Sequence, residues 1–130
     1  MNVPNILIVD DEGGTRDMIK GFLLSRVQCN IFEAENGEKA IESLKKNPCD
    51  VMILDIRMPK KSGMVVLDEM KEIAKNVDTI VITAWDSDLV AEECVKRNVE
   101  IIPKPIAISE LYEKISKILK KRKQFILANT

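Results

Sequence analysis

Four acidic side chains follow apolar runs of strand length. Asp10, Asp11 and Glu12 come directly after "ILIV", and Asp55 comes directly after "VMIL". The chain has no histidine and no CxxC pair, so oxygen ligands of this kind favour Mg²⁺ or Mn²⁺ over zinc or copper. If these acids lie together, each pair of carboxylates about 5 Å apart repels by about 3 kcal/mol at an effective dielectric of about 20. A bound cation would relieve that repulsion.

Two other polar residues hold similar positions. Thr83 closes the run "TIVIT", and Lys104 follows "VEII". A divalent ion held by carboxylates, with a lysine and a threonine opposite, suits the transfer of a phosphoryl group to an aspartate. Each residue alone also has a structural interpretation, as a turn acid, a strand residue or a surface lysine. The chemistry therefore depends on whether the fold brings these residues together.

Five apolar runs alternate with five segments of helical period. The predicted strands are 6–9, 30–34, 51–54, 79–83 and 99–102. Most are continuous and β-branched, which is typical of strands covered on both faces. The pattern predicts a three-layer α/β domain with a five-stranded parallel sheet and right-handed crossovers. The strand-end residues would then meet at one edge, near the point where strand order reverses.

The last helical segment has the clearest amphipathic stripe. Its apolar positions are Ile108, Leu111, Ile115, Ile118 and Leu119. Ser109 is expected to help cap its start. We expect one domain over 1–122, with 123–130 as a C-terminal tail or linker stub.

Composition and charge exclude several function classes. A net charge of -1 gives no general attraction to nucleic acid or membranes. No apolar run could span a bilayer and the start has no signal-peptide pattern, so we expect a cytoplasmic protein. The three cysteines are interpreted as reduced apolar residues. The loop "DDEGG" would repel a free phosphate, and neither GxGxxG nor GxxxxGK[ST] occurs, which disfavours dinucleotide and P-loop sites.

The residues above resemble the receiver domain of two-component response regulators, in the CheY-like superfamily. The motifs are "ILIVDDE", "ILDIRMPKKSG", "VITA" and "PKP", in the family's order across residues 5–120. The resemblance implies a flavodoxin-like fold with strand order 2-1-3-4-5 and a cis Lys104-Pro105 peptide. The opening "ILIVDDEGGTRDMI" is similar to single-domain receivers of multistep phosphorelays, such as that of sporulation.

The resemblance also implies a role for each site residue. Asp55 would accept the phosphoryl group, and Thr83 and Lys104 would stabilise its oxygens. The ligands of Mg²⁺ (or Mn²⁺) would be Asp10, Asp11, Asp55 and the backbone carbonyl of Arg57. Three residues of the surrounding loops would have structural rather than chemical roles: Pro59, Gly63 and Pro105.

The lack of histidine also bears on partners. The phosphoryl donor would be a sensor histidine kinase or a histidine phosphotransfer protein, and the output would pass to an effector domain or protein. We expect no direct binding of nucleic acid or membrane, and dimerisation is left open. The chain would not be an enzyme, since it would catalyse only its own phosphorylation and dephosphorylation.

Three other functions are weighed against this one. A phosphatase of the haloacid dehalogenase type needs a second aspartate where this chain has Arg57. A pseudo-receiver acting only as a docking domain would not need the complete acidic set. A flavin-binding flavodoxin is disfavoured by the acidic first loop.

Two departures from the family pattern stand out. Ile101 occupies the position where receivers usually carry an aromatic switch residue. Arg57 and Trp85 occupy positions where some relatives carry a residue that orients the attacking water. We hypothesise that these two bulky side chains stack and slow hydrolysis of the aspartyl phosphate. The alternative is that both point away from the site.

Overall fold

Strands and helices alternate along the whole described chain. The structure, a computed structural model, describes residues 2–58, 61–84 and 88–128. The strands are β1 (Asn5–Val9), β2 (Asn30–Ala34), β3 (Val51–Asp55), β4 (Asp78–Thr83) and β5 (Glu100–Pro103). The helices are α1 (Gly13–Arg26), α2 (Gly37–Lys46), α3 (Gly63–Ile73), α4 (Asp88–Lys96) and α5 (Ile108–Lys121). No helix in the described ranges combines the length and apolar composition that a membrane crossing requires.

The five strands form one parallel sheet in the order β2-β1-β3-β4-β5. This order confirms the predicted α/β fold and its flavodoxin-like topology. The chain runs outward from β1 to β2 and then returns to β3 on the other side of β1. The ends of β1 and β3 therefore flank the point where strand order reverses, which is where ligands bind in such sheets.

The core has two layers because alternate strand residues face opposite sides of the sheet. Leu7 and Val9 belong to the layer with Leu67 and Met70 of α3, whereas Ile8 belongs to the other layer with α1 and α5. β1 and β3 are almost completely buried, as the apolar runs predict.

The edge strands depart from the prediction of coverage on both faces. β2 exposes Asn30 and Glu33, and β5 exposes Glu100 and Pro103. Each edge strand has a sheet neighbour on one side only. The edge position of β5 also explains how Pro103, which lacks an amide donor, is accommodated.

The helix starts differ in how they are capped. Asn36 Oδ1 accepts a hydrogen bond from the Lys39 amide at 2.9 Å at the start of α2. At α5 the N-cap is Ala107, and no side chain caps the helix. The expectation that Ser109 caps α5 is therefore wrong. Ser109 lies inside the first turn, where its side chain does not hold the N-cap position.

Residues 124–128 fold back onto the end of α1. The Gln28 amide donates to the Ile126 carbonyl at 2.8 Å, and the Ala128 amide donates to the Arg26 carbonyl at 3.0 Å. Phe125 packs against the core layer that contains α1 and α5. The division into a domain over 1–122 and a tail over 123–130 stays a prediction.

The three cysteines are free thiols. Cys94 is buried, and Cys29 and Cys49 are half-buried. Burial raises the pKa of Cys29 to about 11 and that of Cys49 to about 12. Both thiols are thus protonated at neutral pH, in keeping with their interpretation as reduced apolar residues.

Candidate functional site

The parallel register brings the strand-end acids together. Val9 of β1 pairs with Leu54 of β3, so the next residues, Asp10 and Asp55, end neighbouring strands at the same level. Asp10, Asp11 and Asp55 each offer a carboxylate oxygen, and these three oxygens lie within 4.8 Å of one another. Asp10 and Asp55 are buried and Asp11 is exposed. The structure therefore joins the three predicted carboxylate ligands in one cluster.

The two buried carboxylates are oriented by the same backbone device. Asp10 Oδ1 accepts a hydrogen bond from the Glu12 amide at 2.9 Å. Asp55 Oδ1 accepts one from the Arg57 amide at 3.0 Å. In each case the donor is two residues further along the chain, the arrangement of an Asx turn. One oxygen of each carboxylate is thus fixed to the backbone, and the second is available to another partner.

Lys104 supplies that second partner. Its Nζ donates to Asp55 Oδ2 at 3.1 Å and to Asp10 Oδ2 at 3.2 Å, and lies 3.7 Å from Glu12 Oε1. The Lys104 amide donates to the Thr83 carbonyl at 2.9 Å, which ties the loop after β5 to the end of β4. The Lys104-Pro105 peptide is cis, which confirms the expectation. One ammonium group faces three carboxylates, so Lys104 by itself cannot neutralise this cluster.

The pKa values of the site reflect burial in competition with pairing. Burial raises the pKa of Asp55 above its ordinary value, although the Arg57 amide and Lys104 pull it down. Asp10 adds to the increase because its charge repels the Asp55 carboxylate. Burial also opposes the charge of Lys104, but its contacts with Asp55 and Asp10 outweigh burial and raise the Lys104 pKa. Both shifts favour the protonated form, which is neutral for Asp55 and charged for Lys104, and the rise at Asp55 comes from desolvation rather than from a lack of pairing.

Thr83 also lies at the carboxyl ends of the strands, beside Asp55. Asp55 pairs with Ile82 of β4, so Thr83 is one residue beyond the level of Asp55 on the adjacent strand. Its side chain is buried. The predicted contact of its hydroxyl with a phosphoryl oxygen stays a prediction.

Gly63 has a clear steric role beside Asp55. A Cβ at this position would lie 2.7 Å from the Ile56 Cα and 2.9 Å from the Asp55 carbonyl oxygen. Both distances are shorter than real Cβ contacts. Glycine therefore lets the start of α3 approach the strand that carries Asp55, which supports the structural role expected of Gly63.

The remaining predicted positions are placed less completely. Arg57 is exposed, and its carbonyl as a metal ligand stays a prediction. Pro59 and Trp85 lie outside the described residues, so the predicted stacking of Arg57 on Trp85 is untested. Ile101 is half-buried and packs against the core layer that contains α3.

One basic residue of the site was missed by the sequence analysis. Arg16 Nη1 donates to the Asp10 backbone carbonyl at 2.7 Å, and its Nε donates to Glu33 Oε1 at 3.1 Å. No sequence pattern indicates this contact, because a basic residue in the first turns of a helix is equally consistent with a solvated surface position. Only the folded structure shows that Arg16 contacts the acidic loop, residues 10–12 between β1 and α1.

A family model matches most of this chain. The model of the response regulator receiver domain matches residues 6–116. The chain belongs to this family. Chemotaxis protein CheY of Bacillus subtilis is 33% identical to the receiver, with 88% of this chain and 96% of that protein aligned. Sporulation initiation phosphotransferase F of the same organism is 30% identical, with 88% of this chain and 92% of that protein aligned.

Longer relatives and solved structures extend the comparison. A cyclic di-GMP phosphodiesterase of Thermotoga maritima is 36% identical over 90% of the receiver, which corresponds to 31% of that protein. The receiver domain of Francisella response regulator 1452 superposes with a TM-score of 0.81 at 26% identity, covering 92% of this chain and 98% of that one. The receiver thus resembles both proteins of its own size and one part of a larger protein.

Proposed function

We propose that this receiver accepts a phosphoryl group on Asp55 in a reaction that depends on Mg²⁺ (or Mn²⁺). The phosphorylated state would change the binding of a downstream effector domain or protein. The observation that carries the proposal is the convergence of three carboxylates within 4.8 Å, two of them bridged by Lys104. Such a cluster combines a carboxylate nucleophile with the fixed positive charge of Lys104. It also holds more negative charge than that lysine neutralises.

The donor set fits a hard divalent cation. Asp10, Asp11 and Asp55 would hold it, together with the backbone carbonyl of Arg57. Carboxylate and carbonyl oxygens are the ligands that Mg²⁺ prefers. When bound, the cation would neutralise charge that develops on the phosphoryl oxygens.

The protein groups would act on the phosphoryl group as follows. An oxygen of Asp55 forms a bond to phosphorus while the phosphorus–nitrogen bond of the donor phosphohistidine breaks. The leaving imidazole nitrogen keeps the electron pair of the broken bond. Lys104, now 3.1 Å from Asp55 Oδ2, would bind a phosphoryl oxygen, and Thr83 would donate its hydroxyl to another.

The receiver cannot supply its own donor, because its sequence contains no histidine. A sensor histidine kinase or a histidine phosphotransfer protein would provide the phosphoryl group. Apart from this self-modification we propose no catalytic activity. The effect of Arg57 and Trp85 on the lifetime of the phosphoryl group stays a prediction, tested by timing the loss of phosphate from the purified protein.

Phosphorylation by a small donor tests the proposal directly. The protein would be incubated with acetyl phosphate and Mg²⁺ and then measured by intact mass. We expect one phosphate adduct in the wild type, none in Asp55→Asn and none after removal of divalent metal. Asp50→Asn is the matched control, since Asp50 directly precedes the same strand β3 at its opposite end. It should form the adduct like the wild type.

The same assay separates the alternatives. Release of inorganic phosphate without an adduct would favour a phosphatase. A folded wild-type protein that gives neither an adduct nor phosphate release would favour a pseudo-receiver. An adduct that persists in Asp55→Asn would place the acceptor elsewhere and overturn the proposal.

A further inference from the structure

The side chain of Arg16 contacts the loop that carries two of the candidate metal ligands, Asp10 and Asp11. Its Nη1 donates to the backbone carbonyl of Asp10 at 2.7 Å, and its Nε donates to Glu33 Oε1 at 3.1 Å. The Arg16 side chain is 19% exposed; its hydrogen bond to the Asp10 carbonyl is partly buried, and the one to Glu33 is exposed. Hydrogen bonds from a charged donor are stronger than neutral ones, and partial burial strengthens the bond to Asp10 further.

The contacts of Arg16 close a ring around the acidic loop. The Arg16 amide donates to the Glu12 carbonyl at 3.2 Å in the first turn of α1, while its side chain returns to the carbonyl of Asp10. The Asp10 amide donates to the Ala34 carbonyl at 3.1 Å, and Ala34 directly follows Glu33 in β2. The end of β2 therefore anchors the loop both directly and through Arg16.

We propose that Arg16 is a positioning residue for metal binding. By holding the Asp10 carbonyl against β2, it fixes the backbone from which the Asp10 and Asp11 carboxylates project toward Asp55. This inference rests on the proposed metal site of the receiver. It assigns Arg16 no contact with the metal or the phosphoryl group.

Charge and positioning predict opposite effects of removing Arg16. As a positive charge near an acidic cluster, Arg16 repels a divalent cation. If charge were its only effect, removal of Arg16 would therefore tighten Mg²⁺ binding. As an anchor of the loop, it keeps the ligands in place, so its removal would weaken binding. Loss of an outer partner of a metal ligand typically lowers metal affinity by about 10-fold to 100-fold.

The shape of the arginine side chain gives a second distinction. A guanidinium group presents its donors in a fixed planar fork and here reaches a carbonyl and a carboxylate together. The ammonium of a lysine is a compact point charge without this fork. Arg16→Lys therefore keeps the repelling charge and loses the bridge, so we expect it to bind Mg²⁺ more weakly than the wild type and no more tightly than Arg16→Ala.

Lys20 provides a matched control on the same helix. Its Nζ lies 3.4 Å from Glu33 Oε2, so it shares a partner with Arg16, but its side chain is 43% exposed. No contact of Lys20 with the acidic loop is present in the described part of the chain. Lys20→Ala removes the same unit charge and leaves the bridge to Asp10 in place.

Calorimetric titration with MgCl₂ tests the inference without any phosphoryl transfer. We expect Arg16→Ala to raise the Mg²⁺ dissociation constant at least about tenfold, the lower end of such effects. Lys20→Ala should bind Mg²⁺ like the wild type or slightly more tightly. Thermal unfolding without Mg²⁺ would establish that each variant is folded before it is titrated.

The outcomes separate this inference from the proposed function. If the wild type does not bind Mg²⁺, the proposed metal site fails and this inference fails with it. If the wild type binds and Arg16→Ala binds as tightly or more tightly, only the positioning role is overturned. If Arg16→Ala does not fold, Arg16→Lys loses the bridge at constant charge and should also weaken binding. Unchanged affinity in Arg16→Lys would then overturn the inference.

Discussion

The two ends of the sheet each hold a basic side chain between two aspartates, but they differ in charge balance. At the amino ends of the strands, Arg122 Nη2 donates to Asp50 Oδ1 at 3.1 Å and Nη1 donates to Asp78 Oδ2 at 2.8 Å. Nη1 also donates to the Asn76 carbonyl at 2.9 Å. We call Arg122, Asp50 and Asp78 the amino-end cluster. Its single guanidinium has separate donors for both carboxylates.

At the carboxyl ends, Lys104 lies between Asp10 and Asp55, with Asp11 beside them. We call these four residues the carboxyl-end cluster. Its lysine is a point charge that shares its donors among more acid than it can balance. The arrangement leaves negative charge at the edge of the sheet where ligands bind in this topology.

The pKa shifts of one aspartate from each cluster show the consequence. Partial burial alone would raise the pKa of Asp50, but the Asn5 amide and Arg122 outweigh it and lower the pKa below its ordinary value. Burial keeps the pKa of Asp55 raised despite Lys104. Ionised Asp50 therefore stabilises the fold, whereas ionised Asp55 opposes it. The comparison teaches that the proposed site carries an unfavourable charge that a cation would relieve.

The largest expected effect follows from removing the lysine of the carboxyl-end cluster. Without Mg²⁺, Lys104→Ala leaves Asp10 and Asp55 without their shared ammonium, and we expect the free energy of unfolding to fall by about 2–3 kcal/mol. Addition of Mg²⁺ should recover most of that loss, because the cation takes over the neutralising role. Chemical unfolding with and without Mg²⁺ measures both values. A loss that Mg²⁺ does not reverse would contradict the proposed metal site.

A smaller effect is expected at the opposite end of the sheet. Arg122→Ala removes the hydrogen bonds to Asp50, Asp78 and the Asn76 carbonyl, and we expect a loss of about 1–2 kcal/mol because the cluster is partly exposed. Mg²⁺ should not restore this stability, since the amino-end cluster has no comparable excess of acid. The same unfolding experiment makes the check. Equal recovery by Mg²⁺ in both variants would show that the two ends do not differ as described.

Neutralising one aspartate from each cluster should change stability in opposite directions. Without Mg²⁺ at neutral pH, we expect Asp55→Asn to raise the melting temperature and Asp50→Asn to lower it, each by a few degrees for about 1 kcal/mol. The signs follow from the raised pKa of Asp55 and the lowered pKa of Asp50. Differential scanning calorimetry measures them. Two changes of the same sign would overturn the comparison.

The smallest expected effect is the pH dependence of the stability changes that Asp55→Asn and Asp50→Asn cause. The pKa of Asp55 is raised in the folded state, so its protonated form stabilises the fold below the unfolded pKa of about 3.9, and this contribution is lost as pH rises through the folded value. The advantage of Asp55→Asn should therefore begin to shrink while the pH is still above about 4. Chemical unfolding of the wild type and Asp55→Asn over a series of pH values measures the range in which this advantage disappears.

Asp50 should behave differently in the same series. Its pKa is lowered in the folded state, so its contribution is fully present above the unfolded pKa of about 3.9 and disappears as pH falls through the folded value. The disadvantage of Asp50→Asn should persist to lower pH than the advantage of Asp55→Asn. If both differences vanished over the same interval, the two aspartates would not have opposite shifts.

Much of the fold was predictable because its signals are local. Continuous β-branched runs, helical periodicity and their alternation predict the sheet and the burial of its central strands, and β2 matches its expected bounds of 30–34 although it is partly exposed. The start of α5 was harder to predict, because Ser109 is an acceptable cap by type but lies one residue inside the helix. A cap depends on backbone geometry at one position, which residue type alone does not determine.

The candidate site was also only partly predictable from the sequence. The strand-end positions of Asp10, Asp55 and Thr83 follow from sequence pattern, since a carboxylate or hydroxyl after an apolar run marks the end of a strand. Their mutual distances do not, because these depend on the register between β1, β3 and β4. The contact of Arg16 with the Asp10 carbonyl is further from prediction, since it joins a helix side chain to a loop backbone.

By itself, the sequence determined the residue types of the site, the order of the elements and the lack of histidine in this chain. Only the tertiary structure decided which basic group serves which acids. Lys104 and Asp10 are separated by 94 positions and Arg122 and Asp50 by 72, yet each pair is in contact. Such contacts arise because a parallel sheet places the starts of all its strands at one end and the carboxyl ends of all its strands at the other. The charge balance at each end of the sheet is therefore a property of the fold rather than of any local segment.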